Sequence, residues 1–236
     1  MIFSGWQKVS YIEYPGKIAT VLFTGGCNFR CPYCHNPELV FLEESLPQIH
    51  GRDVLEFLKR RIGMIDAVCI TGGEPLIHTP HLFPFLEQAK QMGFLIKIDT
   101  NASLDQPFHQ ISQAGLVDLW GIDFKLPFPL YKKVLGEKWH KNCQLVLDQA
   151  LKKPDQVEIR TTIYPPFHDE KILLEMAEKC SSANRWYWQN FNPQKTLSDE
   201  AHTVSPYAPS LLSQWGDQIN KQIQKDLIII RPNLSG

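Results

Sequence analysis

Three cysteines, Cys27, Cys31 and Cys34, fall within eight residues at a C-x3-C-x2-C spacing. They follow an apolar run, Ile18 to Phe23, that ends in the pair Gly25-Gly26. A short loop carrying three thiols at a strand end is suited to a metal, because thiolates are soft ligands and loops on a rigid scaffold are where sites are built. The ligand count narrows the choice. A closed zinc site takes four N or S ligands, and a cubane iron–sulfur cluster has four irons to ligate. Two arrangements fit: His35 completes a zinc site, or three irons are held and the fourth is left for something that is not protein.

Other groups able to do chemistry recur downstream, each after an apolar run. Gly72-Gly73-Glu74-Pro75, Asp99-Thr100-Asn101, and Asp123 with Lys125 all sit in such positions; Arg160 lies within the next run, and Gln189 within the one after. Taken singly, each has an ordinary explanation. Paired glycines serve turns that need positive φ, and Asp caps helices. Lys125 and Arg160 suit salt bridges, Gln189 a satisfied core amide. Their recurrence at successive strand ends beside a thiol triplet is what points to one site.

The elements that must position these groups read as an alternation of strand and helix. Strands are expected at Ile18–Phe23, Asp66–Ile70, Phe94–Ile98, Val117–Phe124, Val157–Ile163 and Arg185–Phe191, with a last short run at Leu227–Ile230. Between them, helical apolar spacing covers about 52–62, 81–92, 106–114, 139–151, 169–180 and 209–224. Six such units predict an α/β fold with mainly parallel strands. Right-handed crossovers curve it toward a partial (β/α)6 TIM-like barrel, short of the eight units that close one. In parallel α/β folds catalytic groups collect at the carboxyl ends of strands, which is where these residues fall.

Composition bounds the remaining possibilities. The chain has 236 residues, 43% of them hydrophobic, a size that suits a single domain. Lys plus Arg total 24 against 25 Asp plus Glu, so the net charge of −1 gives no pull toward nucleic acid or an anionic membrane. No apolar run approaches the roughly 18 residues a membrane span needs, and no leader pattern opens the chain, so a cytoplasmic protein is expected. Cys69, Cys143 and Cys180 are scattered through regular elements and read as buried, apolar-like residues rather than half of a disulfide framework.

These residues together resemble a known superfamily. Cys27-x3-Cys31-x2-Cys34, with Tyr33 before the last cysteine, matches the cluster motif of the radical S-adenosylmethionine (SAM) enzymes, and Gly72-Gly73-Glu74-Pro75 matches their GGEP element. More narrowly, Tyr14-Pro15-Gly16-Lys17 and the stretch from Thr24 through Cys34-His35-Asn36-Pro37-Glu38-Leu39 are similar to glycyl-radical-enzyme activating proteins. Among these the chain is most like the activators of anaerobic ribonucleoside-triphosphate reductase, relatives of the pyruvate formate-lyase activating enzymes. The resemblance runs from about Gly5 to the last strand and thins after Arg160.

The resemblance implies one radical SAM domain over residues 1–236, with its cluster loop at 24–38. Cys27, Cys31 and Cys34 would hold one 4Fe-4S cluster, with SAM chelating the open iron. One electron passes to the sulfonium, a C–S bond breaks, and methionine plus a 5′-deoxyadenosyl radical result; the cofactor supplies this reactivity and the protein positions it. Gly72, Gly73 and Glu74 would bind SAM, the last two meeting its ammonium. Asp99 and Asp123 match positions facing the ammonium or the ribose hydroxyls, Lys125 the cation that pairs with the methionine carboxylate, Arg160 an arginine near the same cofactor, and Tyr33 would pack on the adenine. Asp99, Thr100 and Asp123 can also cradle a monovalent cation in such proteins.

The implied reaction is that of an oxidoreductase. It removes a hydrogen from a glycine of a partner glycyl-radical enzyme, using an electron donor such as flavodoxin or ferredoxin. Many activases carry further clusters, whereas Leu39 to Ile65 contains no cysteine here. Two other readings stand beside it: a radical SAM enzyme acting on a small molecule, such as a 7-carboxy-7-deazaguanine synthase, and a zinc-binding domain without turnover. Gln189 and Phe191 resemble a family segment of no assigned role, and His202 reads as a solvated loop residue.

Overall fold

The structure, a computed structural model, describes residues 1–135 and 137–231. Its contacts divide the chain into two compact units. Met1–Phe29, Asn36–Thr100 and Leu104–Trp120 make the first; Arg30–His35, Asn101–Ser103 and the chain from Gly121 make the second.

In the first unit the strands are β1 (Ile2–Phe3), β2 (Gly5–Ser10), β3 (Ala19–Thr24), β4 (Ile49–His50), β5 (Ala67–Gly72) and β6 (Leu95–Thr100). β3, β5 and β6 run parallel, with Val21 opposite Cys69 and Cys69 opposite Lys97. β-branched and small side chains such as Ala19, Val21, Ala67 and Cys69 pack into one core cluster on one face of this sheet. Helices α1 (Pro37–Phe41), α2 (Gly51–Lys59), α3 (Thr79–Gln91) and α4 (Asp105–Gln113) connect the strands. α2 buries Val54, Leu55 and Leu58, one stripe of an amphipathic helix. α3 begins two residues before the helical pattern in the sequence, because Pro80 suits a first turn whose N–H groups need no partner.

The N-terminal edge differs from the sequence reading. β2 adds antiparallel to β3, Trp6 opposite Leu22, with an irregularity between Gln7 and Ser10. Its short run of mixed polar and apolar residues gives little signal, and the pairing is secured instead by tertiary contacts such as Trp6 Nε1 donating to Thr20 Oγ1 at 2.8 Å.

β7 (Leu119–Asp123) carries the chain into the second unit, where β8 (Val157–Ile163), β9 (Trp186–Asn190) and β10 (Ile228–Arg231) pair in parallel in that order. Five helices accompany them among the described residues: α5 (Phe128–Val134), α6 (Glu137–Ala150), α7 (Glu170–Lys179), α8 (Asp199–His202) and α9 (Pro209–Gln222). α7 starts where the sequence says it should. Asp169 caps it by accepting from the Ile172 N–H at 2.8 Å. The core is aromatic: Trp186 and Trp188 are fully buried and meet edge to face, ring centres 5.2 Å apart. Cys69, Cys143 and Cys180 are buried and outside any disulfide, as their sequence context implied, and burial pushes the Cys180 thiol up to about 12.

The expected class, α/β with mainly parallel strands, is therefore the one observed. No helix among the described residues is long and apolar enough to cross a membrane.

Candidate active site

In the first unit, the loops after β3 and β5 are stitched together through their backbones. The Gly73 N–H donates to Thr24 O at 2.8 Å and the Glu74 N–H to Gly26 O at 2.9 Å. So close an approach needs glycine twice. Gly72 takes φ +115°, and a Cβ on Gly73 would collide with the Gly26 carbonyl. The paired glycines thus have a structural reason of their own, which is to bring the GGEP loop against the start of the cysteine loop.

Cys27 opens that loop, and its sulfur accepts from the Phe29 N–H at 3.4 Å. Glu74 is fully buried. One of its carboxylate oxygens accepts from the Leu76 N–H at 3.1 Å, capping a short 3-10 turn, and from Thr100 Oγ1 at 2.8 Å, tying β5's loop to the end of β6. Asp99 points to the same sheet face as Lys97, two residues earlier, and the pair lies 3.3 Å apart with the lysine fully buried. The Lys97 ammonium also donates to Glu13 O at 2.7 Å. Sequence reasoning passed over Lys97; its alternation with Asp99 in Leu95-Ile96-Lys97-Ile98-Asp99 was the available signal.

In the second unit, Cys31 is buried and Cys34 half-buried. Tyr33 between them is buried too, its ring 5.0 Å from Tyr164 and 5.9 Å from Phe167. Burial, reinforced by the Cys31 sulfur, raises its hydroxyl far beyond the ordinary value, so the phenol stays neutral. Lys125 reaches Asp123 at 2.9 Å. Burial alone would favour its neutral form, but Asp123 and the Cys31 sulfur outweigh this and raise its pKa well above the usual lysine value.

The Lys125 backbone is held from both sides. Its N–H donates to Tyr131 Oη at 2.8 Å, and its carbonyl lies 2.8 Å from His168 Nε2. His168 Nδ1 accepts from the Tyr164 N–H at 3.0 Å, which fixes the neutral tautomer with its proton on Nε2. Burial pushes the His168 imidazole down to about 4 against the backbone hydrogen bonds that would raise it.

Next to Lys125, the Phe124 N–H donates to Arg160 O at 2.9 Å, which joins the end of β7 to β8. A narrow cleft follows, lined by Asp123, Lys125, Arg160, Tyr187, Gln189 and Arg231. The strand register explains the set: Arg160 stands opposite Tyr187, Thr162 opposite Gln189, and Gln189 opposite Arg231. Tyr187 and Arg231 escaped notice in the sequence because only pairing brings β9 and β10 beside β8. His202, by contrast, is exposed on α8, with Nδ1 2.6 Å from Pro193 O, the solvated setting its sequence suggested. Phe191 is fully buried against Tyr164.

Among the described residues, no group of three or more His, Cys, Asp and Glu side chains is already gathered as metal ligands. The chemistry of the thiols fits an iron–sulfur cluster even so. None of the three is in a disulfide, Cys27 receives an amide hydrogen bond, and Cys31 lies in the field of the Lys125 ammonium. Both influences favour thiolate, the ligating form, and hydrogen bonds to sulfur are among the means by which proteins tune such clusters.

Comparison with known proteins defines the class. Residues 21–177 match the model of the Radical SAM superfamily, and the chain belongs to it. It is accordingly a radical SAM enzyme, of a family that uses a 4Fe-4S cluster and SAM. Within that class, it is 30% identical to a Methanocaldococcus jannaschii protein provisionally named a glycyl-radical enzyme activating enzyme, over 97% of this chain and 95% of that one. It is also 30% identical to the pyruvate formate-lyase-activating enzyme of Staphylococcus aureus, over 75% and 74% of the two chains. A 7-carboxy-7-deazaguanine synthase of Hyperthermus butylicus is 26% identical over 78% and 85%. The fold is shared with Streptococcus suis SuiB, at 13% identity and a TM-score of 0.68; the match covers 90% of this chain and 48% of SuiB, about half its length.

Proposed function

We propose that this enzyme activates a glycyl-radical enzyme. It would cleave SAM reductively at one 4Fe-4S cluster held by Cys27, Cys31 and Cys34, then remove a hydrogen from a glycine of its protein partner. Anaerobic ribonucleoside-triphosphate reductase is the partner we favour. The observation that carries this reading is the nearly end-to-end match to a protein named for glycyl-radical enzyme activation. The continuation Cys34-His35-Asn36-Pro37-Glu38, which resembles that group, agrees with it. The reaction would be an oxidoreductase's, fed by a donor such as flavodoxin or ferredoxin.

When bound, the cluster and SAM supply a one-electron cleavage that the chain's own residues cannot perform. Those residues bind and orient. Lys125 and Arg160 are suited to the methionine carboxylate, since both keep their charge at neutral pH. Gly72 and Gly73 would offer backbone acceptors to the ammonium, with Asp99 as its counter-charge. Glu74, already engaged by Thr100 and Leu76, would act by holding that loop in place. Asp123 would take the ribose hydroxyls, and Tyr33 would present its remaining edge to the adenine.

The test is anaerobic reconstitution followed by reduction. Wild type should release 5′-deoxyadenosine and raise a doublet in the electron resonance of the reductase, while Cys31→Ala should do neither. Undiminished cleavage by Cys31→Ala would overturn the cluster assignment. A second reading, action on a small molecule, is favoured by the similarity to 7-carboxy-7-deazaguanine synthase; cleavage that responds to a small molecule, with no protein doublet, would select it.

A further inference from the structure

Lys125 lies two residues beyond the end of β7, yet its surroundings in the second unit leave its backbone little freedom. We infer that His168 is a positioning residue for SAM binding: by donating to the Lys125 carbonyl, it sets the Lys125 ammonium in place beside Cys31 and Cys34 to receive the carboxylate of SAM. The inference rests on the proposed part of Lys125 as the partner of that carboxylate.

Four successive backbone groups past the strand end are engaged. The Phe124 N–H donates to Arg160 O at 2.9 Å, and Phe124 O accepts from Thr161 Oγ1 at 2.6 Å. The Lys125 N–H donates to Tyr131 Oη at 2.8 Å, and Lys125 O accepts from His168 Nε2 at 2.8 Å. Backbone groups meet other backbone groups in most hydrogen bonds, but three of these four meet side chains. Those side chains, Tyr131, Thr161 and His168, are all buried and come from α5, β8 and the turn after β8. Thr161 is itself rooted in the aromatic core, since its hydroxyl accepts from Trp186 Nε1 at 2.8 Å.

His168 does more than satisfy a buried carbonyl. It closes a short turn in which the Phe167 and His168 N–H groups both donate to Tyr164 O, at 2.9 and 3.0 Å. The same turn sets Tyr164 and Phe167 against the ring of Tyr33, at 5.0 and 5.9 Å, and Tyr33 stands between Cys31 and Cys34. One turn therefore touches Lys125 at its end and the cysteine loop along its side, so it sets where the ammonium stands relative to the thiols. Asp123 takes one of the three ammonium donors, at 2.9 Å, which leaves donors for a carboxylate. Small errors in the placement of a group that orients a reactant are expensive, and a side chain as flexible as lysine is placed only if its root is fixed. A ligand with a carboxylate gains from this arrangement, whereas one without it does not.

The experiment is anaerobic calorimetry on the reconstituted full chain with two ligands, S-adenosylhomocysteine, which carries the carboxylate, and 5′-methylthioadenosine, which lacks it. Glutamine can place an N–H near the position of Nε2, and asparagine is too short to do so. His168→Asn should weaken S-adenosylhomocysteine about tenfold and change 5′-methylthioadenosine less than about twofold, while His168→Gln should hold the first within about threefold of wild type. Tyr131→Phe keeps the ring and loses the oxygen that receives the Lys125 N–H; it should weaken S-adenosylhomocysteine alone, about threefold, and it carries the test if His168→Asn does not fold. Equal losses of both ligands would make His168 a general support of the fold and overturn the inference. No loss of either ligand would overturn it too, as would a loss in His168→Gln equal to that in His168→Asn. Lys125→Met separates the two readings. If it binds S-adenosylhomocysteine as wild type does, the proposed part of Lys125 falls and the inference with it; if it weakens that ligand while His168→Asn and Tyr131→Phe do not, the inference alone falls.

Discussion

The two units treat their polar residues in opposite ways. In the first, Glu74, Thr100, Lys97 and Asp99 bond one another or the backbone and are buried at the strand ends. In the second, the cleft beyond Lys125 keeps three half-buried side chains, Thr162, Tyr187 and Gln189, whose hydroxyls and amide make no hydrogen bond among the described residues. The difference teaches where precision and selectivity are built. A loop fixed by a satisfied buried network keeps one geometry, which suits the unchanging methionine end of a cofactor. Unsatisfied groups at a cleft suit a partner that arrives and leaves.

If that contrast is right, first-unit substitutions should act on stability and cleft substitutions on function. The largest expected effect is Lys97→Met. Removing the cation takes the Lys97 ion pair from a buried Asp99 and should cost about 3–5 kcal/mol in urea unfolding. Adding Asp99→Asn should recover part of that loss. A change below about 1 kcal/mol would break the comparison.

Next is the acid limb of stability. His168 titrates at about 4 when folded, below the ordinary 6.5 of an unfolded chain. Its neutral form therefore contributes fully above about pH 6.5, and that contribution fades as pH falls toward 4, by about 3 kcal/mol in all. Urea unfolding of cluster-free protein between pH 7.5 and 4 should show this loss, and His168→Gln should flatten it. An unchanged acid limb in the variant would place the sensitivity elsewhere.

A smaller effect should fall on function alone. Arg160→Gln is expected to raise the SAM concentration for half-maximal cleavage about tenfold, equivalent to about 1.4 kcal/mol, while shifting stability by less than 1 kcal/mol. Equal damage to stability would show the cleft to be as structural as the first unit. Smallest of all, His202→Ala should change both by less than about 0.5 kcal/mol, since the ring is exposed and, among the described residues, bonds only a backbone carbonyl.

Much of this was written in the order of residues. The thiol spacing, the GGEP loop and the alternation of apolar runs with helical patterns are local signals, and local chemistry determines them: β-branched runs form buried parallel strands, and Asp169 caps the helix that follows it. The weakly patterned β2 was not legible, because its pairing depends on contacts with β3 such as Trp6 to Thr20.

Only the tertiary structure decided which partners each polar residue meets. Glu74 and Asp99 looked alike in the sequence as cofactor groups. Their hydrogen-bond and ion-pair partners, Thr100 and Lys97, emerge from backbone stitching and strand alternation. Thr162, Gln189 and Arg231 come from segments far apart in the chain, and the parallel register of β8, β9 and β10 makes them neighbours. Spacing along the chain can set a ligand triplet within one loop, but hydrogen-bond satisfaction depends on what lies across a strand pair, and that is fixed only when the strands have found one another.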